Sequence, residues 1–154
     1  VELFSKTSQI KARYSDVEIE KANGLNLNLN YAKNIHIGEI NDLISISKTS
    51  NLNVEFVKNK ALIEGSFGNL KINKISDDFN LIDINLKNSS AKLNMPDVAY
   101  SFYINSKSSN IELDNLPDYL VNTAFDSKIY QNKKATNSTQ VLNIKADYSK
   151  FELN

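Results

Sequence analysis

Apolar residues recur along this chain in pairs two positions apart, and each pair follows a small or polar residue. The groups are Ser15 with Val17 and Ile19, Lys33 with Ile35 and Ile37, Ser50 with Leu52 and Val54, Gly68 with Leu70 and Ile72, Ala91 with Leu93 and Met95, Ser109 with Ile111 and Leu113, and Ser149 with Phe151 and Leu153. Successive groups lie 18, 17, 18, 23, 18 and 40 residues apart. So regular an interval predicts a structure of equivalent units.

Within each unit a second apolar segment follows a short turn. Leu25, Leu27 and Leu29 alternate strictly with asparagine, and alternation with a period of two is typical of a half-buried strand. Each unit therefore reads as strand, turn, strand and turn. Asparagine favours such turns, and equivalent asparagines can form hydrogen-bonded ladders where units align.

Two all-β architectures can carry such a unit. In a short β-solenoid with coils of about 18 residues, successive units pair in parallel, with like residues about 4.8 Å apart. In an antiparallel meander each unit is a hairpin, and the hairpins close into a sandwich or barrel. The constant interval favours the solenoid and predicts that Leu52 lies beside both Ile35 and Leu70, with side chains inward. Asn23-Gly24, a strong hairpin signal, favours the meander.

The pattern extends over the whole chain and predicts a single domain, residues 1–154. Residues 114–140 interrupt it, and the polar stretch 126–140 predicts a mobile loop or excursion. The pattern then resumes at 141–153, which predicts that the last unit closes the same core. Residues 1–9 are expected to form an N-terminal edge strand or cap, since an uncovered end exposes unpaired backbone groups.

The composition excludes several kinds of chemistry. The chain has no cysteine, a single histidine (His36), four scattered glycines, and 18 basic against 18 acidic residues. Thiolate chemistry, a His-rich metal cluster and a Gly-rich phosphate loop are therefore excluded. We expect no catalytic residue, metal or cofactor, no nucleic-acid partner, and no membrane span, because apolar runs such as Ala61-Leu62-Ile63 are far too short.

Three weaker signals allow a functional reading beside a structural one. Asp83 and Glu112 offer two carboxyl groups for a glycosidase pair, although nothing in their spacing sets a separation. Lys128, Lys133 and Lys134 near Tyr130 form either a solvated loop or a loop that touches an anionic polymer. The acidic residues are expected in solvated turns: Asp77, Asp78, Asp97, Asp114 and Asp118.

Four aromatic residues share one position of the unit, directly before the small residue of the turn. They are Tyr14, Tyr31, Phe67 and Tyr148. Aligned rings can stack as a ladder that stabilises the edge of the stack, or present a flat platform to sugar rings or a partner protein. Phe67 is expected to be structural, because Gly68 leaves room for its ring to fold over the backbone.

The segments Tyr14–Ile19, Phe67–Ile72 and Asp147–Phe151 resemble the aromatic-small-polar-apolar repeat of the bacterial adhesin domains, which are β-solenoid-like domains of exported proteins. The resemblance covers nearly the whole chain. It departs at Thr49-Ser50, Ser90-Ala91 and Ser108-Ser109, which lack the aromatic.

The resemblance implies a noncatalytic, exported structural or binding module, an adhesin or a scaffold of the cell envelope. It would be periplasmic, secreted or on the surface of a Gram-negative bacterium, with a surface glycan or an envelope protein as partner. Two alternatives remain open: a carbohydrate-active enzyme, and a β domain that binds carbohydrate or lipid.

Overall fold

The computed structural model describes residues 2–3 and 5–154, in which every regular element is a β-strand. The strands are β1 (Glu2–Leu3), β2 (Ser8–Arg13), β3 (Val17–Asn30), β4 (Ile35–Lys48), β5 (Asn51–Ser66), β6 (Asn69–Ile75), β7 (Leu81–Lys87), β8 (Ser90–Leu93), β9 (Ser101–Lys107), β10 (Asn110–Leu113), β11 (Tyr119–Ala124), β12 (Ser127–Asn132), β13 (Val141–Asp147) and β14 (Lys150–Leu153). The predicted all-β class is confirmed.

The strands form one curled sheet, which we describe as two walls. The first wall contains the N-terminal halves of β3, β4 and β5, followed by β6, β8, β14 and β10. The second wall contains β2, the C-terminal halves of β3, β4 and β5, and then β7, β13, β9, β12 and β11. Inward side chains of both walls form a single buried apolar cluster.

The units from β3 to β6 stack in sequence order. Ile35 pairs with Leu52 and Leu52 with Leu70 in parallel, and all three side chains are buried. The predicted neighbours are therefore confirmed. Because inward positions repeat, like residues stack in rows: Ile19, Ile37, Val54, Ile72 and Leu93 form one such row. Equivalent apolar residues thereby cover one another in neighbouring strands.

The hairpin indicated by Asn23-Gly24 does not form. Gly24 lies inside β3 and has no positive φ, which a type I′ turn would require. A Cβ atom built on Gly24 would lie 2.5 Å from the backbone oxygen of Lys6. The glycine therefore permits a close backbone approach, and it does not reverse the chain. Parallel pairing through β3 to β6 likewise differs from the antiparallel pairing that a meander requires.

The register shifts after β6. Ala91 pairs with Leu70 and Leu93 with Ile72, so that the step in this row is 21 residues (91 − 70), where the sequence pattern predicted 23. The prediction had aligned Leu93 with Leu70. Met95 therefore follows β8 and is not an inward residue of that strand, although it is buried and its N–H donates to the Asn154 carbonyl at 2.7 Å.

The last unit belongs to the same core, as predicted, but it does not lie at the end of the stack. β13 pairs in parallel with both β7 and β9, and β14 with both β8 and β10. Residues 141–153 therefore lie between two units that precede them in sequence. The edge of β9 away from β13 is occupied by β12 in antiparallel orientation.

The predicted loop is partly a hairpin. β11 and β12 pair with each other in antiparallel orientation, and of the stretch 126–140 the turn residue Asp126 and residues 133–140 lack strand structure. At the other end, β1 pairs with Lys21 and Ala22 and β2 pairs with the second half of β3. The N-terminal edge strand is thus present, while Val1 and Phe4, which belong to the same prediction, lie outside the described residues.

Candidate functional site

The four predicted aromatic residues lie at the corner where the second wall of one unit leads into the first wall of the next. Each occupies the left-handed region, with φ of 52° at Tyr14, 54° at Tyr31, 56° at Phe67 and 50° at Tyr148. Side chains with a Cβ adopt this conformation rarely. In spatial order, this corner column is Tyr14, Tyr31, Thr49, Phe67, Asn88, Tyr148 and Ser108.

Backbone hydrogen bonds hold the column in place. From Tyr14 to Tyr148, the N–H of each corner residue donates to the carbonyl that ends a strand of the next unit, as from Tyr31 to Lys48 at 2.9 Å and from Tyr148 to Lys107 at 2.9 Å. The corners are therefore tied to one another as regularly as the strands are. A parallel stack requires this continuity, because buried backbone groups at a bend must still find partners.

A ladder of serine hydroxyls, which the sequence reasoning missed, supports the corner from inside. The hydroxyl of Ser149 accepts from the Ser89 N–H at 3.1 Å and donates to the Asp147 carbonyl at 2.8 Å. The Ser109 hydroxyl accepts from the Ser149 N–H at 2.9 Å, and the Ser50 hydroxyl accepts from the Ala32 N–H at 3.1 Å. Each of the two hydroxyls also donates to the carbonyl two residues before it. The signal in the sequence was serine at equivalent positions of several units.

Gly68 takes a serine position for a steric reason. A Cβ atom there would lie 2.0 Å from the Ser50 carbonyl oxygen, so no larger residue fits without movement of the backbone. Phe67 is 58% exposed; that its ring folds over this glycine stays a prediction. Gly68 is therefore explained by the close approach of two backbone segments of neighbouring units.

The aromatic row is interrupted. Tyr14 and Tyr31 stack with ring centroids 5.3 Å apart and planes inclined by 11°. Thr49 separates Tyr31 from Phe67, and Asn88 separates Phe67 from Tyr148. The prediction of rings side by side thus holds for the first pair only. All four rings are more than a third exposed.

Phe67 and Tyr148 line the same side of an open groove of about 710 Å³, in the corner column, with Asn88 between them. Two strand spacings separate them, roughly 10 Å. Its polar lining is mainly asparagine, serine and lysine: Asn51, Asn69, Asn88, Asn110, Ser90, Ser108 and Lys150. We call this surface the corner groove. It combines two aromatic faces with amide groups that both donate and accept hydrogen bonds.

Some of these amides form the ladders expected of aligned asparagines. The Asn69 amide donates to Asn51 Oδ1 at 3.1 Å, and Asn34 donates to Asp16 in the same row at 3.3 Å. The side chains of one unit are thus oriented by those of the next. A ligand that lay along the corner groove would meet polar groups held in place before it bound.

The other candidates of the sequence reasoning are accounted for by contacts between units. His36 faces outward, with Nδ1 3.9 Å from Glu55 Oε1. Glu39 lies between Lys58 at 2.8 Å and Lys21 at 3.6 Å, and the pKa of its carboxyl is lowered, chiefly by the hydrogen bond from Lys58. In the part of the chain that the structure describes, no three His, Cys, Asp or Glu side chains are placed to hold a metal ion.

The two carboxyl groups considered as a glycosidase pair are not brought together. Asp83 lies on the outer face of the second wall and Glu112 on the outer face of the first. Glu112 instead contacts Lys150 Nζ at 3.4 Å. The acidic residues expected in turns are all exposed and lie outside the strands: Asp77, Asp78, Asp97, Asp114 and Asp118.

The basic aromatic loop predicted around Tyr130 is wrong for Lys128 and Tyr130, whereas Lys133 and Lys134 lie outside the strands and are exposed. Tyr130 and Lys128 belong to β12, and the ring of Tyr130 is buried at a centroid distance of 6.1 Å from Tyr119. Burial is also the main reason why the pKa of Tyr130 is raised. Ile129 and Tyr130 are two apolar residues within a polar stretch, and they are too few to reveal the strand from the sequence.

Comparison with protein-family models, with curated proteins and with solved structures finds no match to this chain. A search of residues 2–3 and 5–154 for a helix long and apolar enough to cross a bilayer finds none.

Proposed function

We propose that this chain is a short β-solenoid that serves as a noncatalytic, exported module of the adhesin type, and that the corner groove binds a glycan of the cell envelope. The observation that carries the proposal is the pair of exposed rings, Phe67 and Tyr148, along a groove whose polar lining is rich in asparagine. The solenoid architecture is supported by parallel pairing at an interval of 17 or 18 residues between β3, β4, β5 and β6.

The chemistry of the corner groove suits a polysaccharide. One face of a pyranose ring presents C–H groups that pack on an aromatic ring, and its hydroxyls pair with amides that donate and accept. A groove that runs across several units also suits a polymer better than a compact ligand. Lys150 adds a positive charge, balanced in part by Glu112 at 3.4 Å.

Exposure and strain support a surface role for the rings. A left-handed conformation costs on the order of 1 kcal/mol for a residue with a Cβ, and Thr49, Asn88 and Ser108 show that the corner forms without an aromatic. Rings that were needed only for folding would be expected in the interior. Between the walls, the cavity beside Leu52 and Ile63 measures about 10 Å³, which favours the outer groove over an interior site.

The test is binding of the purified protein to insoluble envelope glycans, with peptidoglycan as the first probe. We expect Phe67→Ala and Tyr148→Ala each to weaken binding roughly tenfold, which corresponds to about 1.4 kcal/mol. Tyr14→Ala is the matched control, because Tyr14 has the same backbone conformation and lies outside the groove. Equal losses in all three variants, or no retention on any glycan, would contradict the proposal.

A further inference from the structure

The last segment of the chain occupies a position that its sequence order does not require. β13 and β14 enter between β7–β8 and β9–β10, and they pair with both neighbours over their whole length. Among the described strands, those of residues 101–113 do not pair with those of residues 81–93, and both sets pair with residues 141–153. We call the space between these two units the slot.

Backbone hydrogen bonds bind the segment in the slot on both sides. On one side, the N–H groups of Val141 and Lys150 donate to Asn80 and Ser89 at 3.1 and 2.9 Å. On the other side, the N–H groups of Ser101 and Asn110 donate to Gln140 and Ser149, both at 2.9 Å. The serine ladder also passes through the segment, since Ser149 joins Ser89 to Ser109.

The inward side chains of the segment complete the core. The buried residues are Leu142, Ile144, Ala146, Phe151 and Leu153. Each continues a row from the units on both sides, as Ile144 does between Ile84 and Ile104. The buried side chains all belong to one contiguous segment, which can therefore move from one slot to another as a unit.

Residues 133–140 connect the segment to the hairpin that precedes it. Residues 133–140 contain no strand and are exposed or half-buried. Eight residues can extend over roughly 26–29 Å, whereas β12 and β13 are separated by β9 alone, a distance of about 10 Å. The connection therefore has slack, and it can lead to the slot of its own chain or to that of another.

We propose that residues 141–153 are an exchangeable strand pair and that the slot accepts the same segment from a second copy of this chain. Every contact named above forms identically whether the segment comes from the same chain or from its partner. The two arrangements differ only in the geometry of residues 133–140 and in the entropy of association. The short connection gives the intramolecular segment an effective concentration in the millimolar range, so that exchange increases with protein concentration.

The test uses two full-length variants, Asn110→Cys and Lys150→Cys. The two positions are exposed and directly paired between β10 and β14, and the chain has no cysteine of its own. The variants are unfolded together, refolded at high protein concentration in a glutathione buffer, and analysed by non-reducing electrophoresis and mass spectrometry. Exchange places the two substituted positions side by side in different chains, within reach of a disulfide.

We expect several times more disulfide-linked heterodimer than from a control mixture of Lys11→Cys with Lys150→Cys, because Lys11 is exposed on β2, far from the slot in the strand order. The yield should rise with protein concentration. Yields equal to the control would overturn the proposal. The double variant Asn110→Cys/Lys150→Cys must form its disulfide within one chain at low concentration; if it does not, β14 is not beside β10 and the proposal fails as well.

Discussion

The two ends of this protein use the same unit in different ways. From β3 to β6 each strand pairs with the strand that follows it in sequence. Beyond β8 the last unit, residues 141–153, lies between two earlier ones, and an antiparallel hairpin takes the position next to β9. Equivalent inward residues therefore determine which rows form, but they do not determine the order in which units stack. Where two units present similar rows, a third with the same rows can fit between them.

The largest effect is expected in the part that stacks in sequence order. Leu70→Asp places a charge in a row with Leu52 and Ala91, where Leu70 is 5% exposed. A buried charge without a partner costs several kcal/mol, so the variant should fail to fold. Circular dichroism and thermal melting measure this. Lys71→Asp, on the exposed face of the same strand, should melt within a few degrees of the parent protein; equal melting of both variants would place Leu70 outside the core.

A large but local effect is expected in the intercalated unit. Phe151 is fully buried, and Phe151→Ala should cost about 3–5 kcal/mol. Because the segment is held only by its two neighbours, hydrogen exchange should accelerate in β9, β10, β13 and β14 and remain slow in β4 and β5. Ile72→Ala, in the ordered stack, should instead destabilise the whole protein. The same exchange pattern in both variants would mean that the two regions unfold as one.

The serine ladder joins the two regions, and its removal should have an intermediate effect. In Ser149→Ala the buried N–H of Ser89 loses its acceptor, which costs about 1–3 kcal/mol. Denaturant unfolding measures the loss. Ser15→Ala is the control, because the Ser15 hydroxyl is exposed and donates only to the Arg13 carbonyl. A smaller loss for Ser149→Ala than for Ser15→Ala would exclude a structural role for the ladder.

The connection between the β11–β12 hairpin and the last unit should be the first part of the protein that a protease cleaves. Residues 133–140 lack strand pairing, and exposed backbone without such bonds is cleaved first. Brief digestion with trypsin, followed by mass spectrometry, should find the first cuts after Lys133 or Lys134. First cuts within the ordered stack, as after Lys58 or Lys60 in β5, would show that the connection is more protected than its structure indicates.

The smallest effect is expected at Tyr100, whose buried hydroxyl has no hydrogen-bond partner among the residues that the structure describes. Tyr100→Phe should therefore leave the free energy of unfolding at neutral pH unchanged or slightly higher.

Burial raises the pKa of Tyr100 to about 12. The folded protein keeps this proton after the unfolded chain has lost its own, so stability falls as pH rises from about 10 to about 12. Chemical denaturation over this range should show a smaller fall for Tyr100→Phe; an identical fall would contradict the assignment.

Much of the fold was accessible from the sequence, because inward residues repeat wherever parallel strands stack. The spacing predicted the neighbours Ile35, Leu52 and Leu70, and alternation predicted strands in both walls, although not β11 and β12. The corner position of Tyr14, Tyr31, Phe67 and Tyr148 was also visible. Their exposure was not, since a left-handed backbone turns these rings outward and no local pattern in the sequence specifies that direction.

What the sequence by itself determined is the class of the fold, the unit and the rows that fill the core. Only the tertiary structure decided that Gly24 and Gly68 admit a close backbone, that residues 127–132 form a strand, and that residues 141–153 enter between two earlier units. The physical reason is common to all three. Each depends on the distance or pairing between segments far apart in the chain, and a one-dimensional pattern records which residues are equivalent but not which equivalents are neighbours.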